Sequence, residues 1–150
     1  MADIKILEHS EILATIPQGL PFVFVDRAEI SNNSANGSYT ITGNEVFMPG
    51  HFPDRPIFPA SIMVEALGQL AIAYIMHVYA EKSVDKRSVY FIKSEDVHCK
   101  RKCLPDDCLN MVVRVIRVRE PLIVFSGEIK VLDEVALKVS SLTLSFSTAR

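Results

Sequence analysis

The sequence predicts an α+β domain in which a curved antiparallel sheet wraps one long central helix. Three observations predict it. Residues Ile62 to Tyr79 are apolar almost all round, which is the pattern of a buried helix. The runs 109–120, 122–132 and 135–147 are rich in β-branched and apolar residues and are broken only by short turns, so they read as an antiparallel meander. No repeat, low-complexity tract or linker interrupts the 150 residues, a length that suits one domain, 1–150, around one core.

The elements follow in order. Ile4, Leu7, Ile12, Leu13 and Ile16 suggest a short N-terminal helix capped by Ser10 and stopped by Pro17 and Gly19. PFVFVDRAEI (21–30) reads as a strand, SNNSANG (31–37) as a turn with Asn36-Gly37 as its hairpin signal, and SYTITG (38–43) as the returning strand. Pro53, Pro56 and Pro59 stiffen a loop that feeds the long helix, whose start is marked by Pro59 and Ser61. After a charged exit at Glu81 to Lys86, residues 88–107 open as a strand and close on the turn Leu104-Pro105-Asp106-Asp107. Asp133-Glu134 forms the last turn.

Composition narrows the function. A net charge of −2 argues against a general nucleic-acid binder. No basic and apolar leader opens the chain, and Glu65, Gln69 and His77 inside the long apolar run favour a core helix over a membrane span. Cys99, Cys103 and Cys108 are an odd number of cysteines and suit a reducing cytoplasm. Together with His98 they lack the paired C-x-x-C spacing of a zinc site, and His98 and Cys99 point to opposite faces of a strand, so no metal is expected.

The chemistry concentrates at the start of the long helix. Glu65 is a carboxylate in a buried helix, costly unless paired or neutralised. Gln69 lies one turn further on the same face, suited to orient Glu65, to hold a water, or simply to serve as a buried hydrogen-bond partner. His51 sits in the stiff loop just before. An imidazole, a carboxyl group and the free N–H groups of a helix start are the parts needed to take a proton α to a carbonyl. The same residues also fit a bland reading: a loop histidine bonded to a neighbouring carbonyl, and a glutamate favoured by the helix dipole.

The motif His51-Phe52-Pro53-Asp54-Arg55-Pro56-Ile57-Phe58-Pro59-Ala60, followed by Glu65-Ala66-Leu67-Gly68-Gln69, resembles the signature of the FabZ-type 3-hydroxyacyl-[acyl-carrier-protein] dehydratases: HFPGxPxxPG and then E-A-x-x-Q. The spacing from His51 to Glu65 matches. Pro21-Phe22 and Val25-Asp26-Arg27 resemble a further family strand, and Pro105-Asp106-Asp107 its P-G-D turn. The likeness covers the chain from about residue 20 onward.

The resemblance implies a hotdog fold, a homodimer with a trimer of dimers as the larger alternative, and active sites shared between subunits. It implies dehydration of a 3-hydroxyacyl thioester on acyl carrier protein without a metal or organic cofactor, with His51 as base and Glu65 of the partner as acid. The backbone N–H at Ala60 would hold the thioester oxygen, with Gln69 as a positioning residue. Arg55, Lys100, Arg101 and Lys102 would form a docking patch for the acidic carrier. Two family glycines are replaced, by Asp54 and Ala60, which bears on substrate choice. Three alternatives stay open: a thioesterase, a dehydratase of a specialised pathway, and a non-catalytic partner subunit that binds acyl carriers. Gly68 reads as a close-packing point against the sheet or a neighbouring helix.

Overall fold

The computed structural model describes residues 3–148. Its long helix, α2 (Ala60–Val78), begins at Pro59, whose carbonyl accepts the N–H of Ile62 at 3.0 Å and of Met63 at 3.1 Å. Proline serves here because its φ is already near the helical value. Ser61, expected as a cap, lies inside the first turn, and among the described residues no side chain caps this helix. Residues 66–75 are buried without a break. The helix is long and apolar enough to cross a membrane, yet here it is the core helix of the domain.

Seven antiparallel strands surround it in the order β1-β2-β3-β5-β6-β7-β4. They are β1 (Lys5–Leu7), β2 (Arg27–Ile30), β3 (Ser34–Thr40), β4 (Tyr90–Cys99), β5 (Cys108–Arg119), β6 (Leu122–Val131) and β7 (Glu134–Ser145). Strands β5, β6 and β7 form the expected meander, and β4 joins beyond β7 as an edge. Helix α2 packs against β2, β3, β5, β6 and β7, which is the hotdog arrangement. Bulges between Val115 and Arg117 and between Phe125 and Gly127 bend the long strands around the helix. A Cβ on Gly37 would lie 2.9 Å from Leu70 Cδ1, and one on Gly127 would lie 3.0 Å from Leu67 Cδ1. Glycine at these two places lets the sheet close on the helix.

Three further expectations are corrected. The N-terminal segment is not one helix. It is β1 followed by α1 (His9–Thr15), and Ser10 lies within α1. Glu8 is the cap, and its N–H donates to Glu11 Oε1 at 3.1 Å in a reciprocal capping arrangement. The hairpin turn falls at residues 31–33, so Asn36 and Gly37 sit inside β3 opposite Glu29 and Ala28. Tyr74 of α2 ties this turn down by donating its hydroxyl to the Asn32 carbonyl, and burial pushes its pKa up to about 12. Finally, only residues 27–30 of the run 21–30 join the sheet. The backbone at Phe22 and Phe24 is satisfied by a side chain, described below.

The loop between β3 and α2 is held by Glu45. Its carboxylate accepts the Tyr39 hydroxyl and the N–H groups of Thr42 at 3.0 Å and Gly43 at 2.9 Å. Burial opposes ionisation of Glu45, but these donors outweigh it and hold its pKa below the usual carboxylate value. Burial and the same hydrogen bond push the Tyr39 hydroxyl well up. A carboxylate depressed in the folded state adds stability that is present above the unfolded pKa and lost as pH falls through the folded one. Glu45→Gln is therefore expected to melt below the wild type at neutral pH. The gap should narrow as acid titrates Glu45 in the wild type. Melting curves across the acid range check this, and a pH-independent gap would count against it.

Candidate functional site

His51 stands in a loop closed on itself. Its carbonyl accepts the Ile57 N–H at 2.7 Å, and its Nδ1 lies 2.7 Å from the Ile57 carbonyl. A carbonyl only accepts, so Nδ1 carries the proton and the lone pair is left on Nε2. The ring stacks on Phe52, centroids 4.5 Å apart and planes at 22°, and the Arg55 guanidinium sits 5.9 Å from the Phe52 ring centre. Phe52 and Arg55 exchange backbone bonds at 2.9 and 3.0 Å, which closes the tip of the loop. At its far end the Phe58 N–H donates to the Cys103 carbonyl at 2.8 Å, and the Phe58 ring packs with those of Phe24, Tyr39 and Phe47. Asp54 is exposed, and among the described residues no hydrogen bond joins it to His51.

Glu65 is half-buried rather than sealed in the core. One oxygen, Oε2, accepts from Gln69 Nε2 at 3.0 Å and from Gln18 Nε2 at 3.3 Å. Gln69 is fully buried. Its carbonyl accepts the Phe24 N–H at 2.7 Å, and its amide also donates to the Phe22 carbonyl at 3.0 Å. One side chain thus stands in for a neighbouring strand at residues 22–24 and fixes Glu65 as well. Gln69→Leu would leave the buried Phe24 N–H without a partner and remove the donor to the Phe22 carbonyl. The expected loss is about 2–4 kcal/mol, or a melting point lower by roughly 5–15 °C. A thermal melt checks it, and an unchanged melting point would refute the anchoring role.

Gln18 was not legible as a site residue, because nothing near Pro17 and Gly19 signals a partner on α2. Its own carbonyl oxygen is buried without a partner among the described residues. The amide cannot turn to relieve this without setting that oxygen against the Glu65 carboxylate.

Glu65 opens on a cavity of about 400 Å³ between α2 and the sheet edge. Ser61, Val64, Glu65, Gly68 and Ile72 form its helical wall, and Val89, Tyr90, Phe91 and Leu144 face them. His51 is not among the lining residues, nor is it bonded to Glu65. The fold of one chain holds both groups without joining them. At the helix start, the N–H groups of Ala60 and Ser61 have no backbone partner among the described residues and are free to meet an oxyanion.

The basic residues separate. Arg55 and Lys102 line a mostly apolar depression of about 500 Å³ with Pro56, Ile57, Leu104 and Pro105. Arg101 instead turns into ion pairs with Asp107 and Glu134, both at 3.2 Å. Lys100 lines a different hollow with Asp96 and Lys138. Cys103 is buried, and its thiol is pushed up to about 11 by that burial.

Residues 16–140 match the sequence pattern of the FabA-like domain. The chain belongs to the FabA-like family. The chain is 36% identical over 132 residues to the 3-hydroxyacyl-[acyl-carrier-protein] dehydratase FabZ of Caulobacter vibrioides, covering 87% of this chain and 82% of that protein. Its fold is shared with the dehydratase heterocomplex ApeI:P from Xenorhabdus doucetiae, with a TM-score of 0.79, 18% identity and 91% of each chain covered. It is also shared with Cj0977, a sigma28-regulated virulence protein of Campylobacter jejuni, with a TM-score of 0.70, 14% identity and 95% and 92% coverage. These two structures extend the hotdog fold of the FabA-like domain across very different sequences.

Proposed function

We propose that this FabA-like domain dehydrates 3-hydroxyacyl-acyl carrier protein to the trans-2-enoyl thioester in fatty-acid biosynthesis. The observation that carries the reading is Glu65, oriented by two amides at the polar end of an otherwise apolar cavity. Its Oε2 is occupied by those donors, so the proton it delivers sits on Oε1. His51 Nε2 takes the proton from Cα. The C–H pair becomes the Cα=Cβ bond, the Cβ–O bond breaks, and the oxygen leaves as water with the proton from Glu65. Charge building on the thioester oxygen meets the free N–H groups at Ala60 and Ser61. Solvent then resets the two groups.

The two catalytic groups come from two copies of the chain. In support, His51 does not reach the Glu65 cavity of its own chain. Among the described residues the strand β4 also offers an unpaired edge of 10 residues, with Tyr90, Phe91, Ile92 and Val97 exposed along it. Such an edge invites pairing with a second β4. Acyl carrier protein docks its acidic surface on Arg55 and Lys102, beside the His51 loop, and the enzyme works in the cytoplasm. The test is incubation with 3-hydroxybutyryl-acyl carrier protein. The 2-enoyl product supports the reading. Free acid would make the chain a thioesterase, and no turnover with retained binding would make it a partner subunit.

A further inference from the structure

A glycine in the middle of a buried helix is destabilising by about 1 kcal/mol relative to alanine, so it needs a reason. Gly37 and Gly127 have one in the close approach of sheet and helix. Gly68 does not: a Cβ built there meets nothing within 4 Å. The expected close-packing point is, within the chain, open space. That space is the Glu65 cavity. Gly68 lies one turn beyond Glu65 and one turn before Ile72, and all three line the same wall. The cavity is polar where Gln18, Ser61 and Glu65 meet, and apolar from Gly68 onward, where Ile72 and Leu144 line it. From Glu65 to Ile72 the helix rises about 10 Å.

We propose that Gly68 is a specificity-determining residue: its missing side chain lets an aliphatic acyl tail pass beyond the reacting carbons. This rests on the dehydratase reading of the Glu65 site. The polar end holds the carbons that change bonding, so the tail has only the apolar end to enter. A side chain at 68 would stand in its path, while a short acyl group that ends near Glu65 would not touch it. The substrates assigned are therefore 3-hydroxyacyl thioesters with tails long enough to cross Gly68 and end near Ile72.

The test uses Gly68→Ala and Gly68→Val with acyl chains of four and ten carbons. Alanine is the better helix former and secures a folded variant, while valine fills more of the passage. Turnover is measured on the 3-hydroxyacyl carriers. Binding is measured separately with saturated acyl-pantetheines, which need no chemistry. For Gly68→Val the ten-carbon affinity and kcat/KM should fall by about tenfold or more, with the four-carbon values within about twofold. Gly68→Ala should shift them in the same direction by less. Equal losses for both lengths, or no loss for either, would overturn the proposal. So would dissociation of the dimer without a change in length preference, which would make Gly68 a contact between helices. A wild type that binds these tails but dehydrates none of them would sink the dehydratase reading alone, and the binding arm would still decide on Gly68.

Discussion

Replacing His51 with alanine is expected to lower turnover of the 3-hydroxyacyl thioester by roughly 10²–10⁴-fold while leaving a folded protein. The loop explains both halves of this result. The imidazole contributes one hydrogen bond, from Nδ1 to the Ile57 carbonyl, and one stacked face against Phe52. Phe52 is exposed, so its loss of a neighbour opens no core cavity. The loop keeps its own closure through the Ile57 N–H on the His51 carbonyl and the Phe52–Arg55 pair, none of which needs the ring. The structural cost is therefore about 1 kcal/mol, a few degrees in a melt. The chemical cost is the Nε2 lone pair, which takes the proton from Cα in the proposed mechanism. Paired measurements of turnover and melting separate the two effects. Near wild-type turnover would remove His51 from the mechanism. A collapse of the melting point would show that the ring is structural.

Much of this was legible in the sequence, and where it was not, a long-range contact had overridden a local signal. The buried helix was legible as a long run apolar almost all round, and the meander as β-branched, apolar runs broken only by short turns. Glu65 and Gln69 were legible as polar residues in an apolar run. The pair Asn36-Gly37 misled, since local rules read the glycine as a turn, whereas it is there so that Leu70 can approach β3. Residues 21–25 have the composition of a strand but join no strand, because the Phe22 carbonyl and the Phe24 N–H bond to Gln69, which is 45 residues from Phe24. Gln18 and Glu65 are 47 residues apart, and no spacing rule connects them. The exposed edge at Tyr90 and Phe91 follows from β4 pairing only with β7, a matter of strand order rather than of any short motif. The basic run Lys100-Arg101-Lys102 reads as one patch, yet the acidic residues Asp107 and Glu134 take Arg101 away from it.

The largest qualitative effect is expected from mixing two inactive chains. In the proposed mechanism His51→Ala and Glu65→Gln each remove one of the two groups that move protons, so either variant alone should be inactive. In a mixed dimer of the shared-site kind, one site receives His51 from the Glu65→Gln chain and Glu65 from the His51→Ala chain. The other site receives neither group. Random pairing makes half of all dimers mixed, so roughly a quarter of wild-type activity should return. A site built within one chain would give nothing, because no pairing would then put both groups in one place. Glu65→Gln suits the experiment, since an amide fits the same space. Its NH₂ must turn away from Gln69 and Gln18, whose donors now rest on Oε2. That turn leaves the amide oxygen on the two donors and the NH₂ where the acidic Oε1 had been, so the helix keeps its bonds and only the transferable proton is lost. The chains should be co-expressed with different tags and the mixed dimer isolated by both, which raises the expectation to about half the wild-type rate per dimer. An isolated mixed dimer that is folded and inactive would refute the shared site. Both groups would then have to meet within one chain, and the His51 loop would have to move from the position fixed by Ile57 and Cys103 to reach the Glu65 cavity.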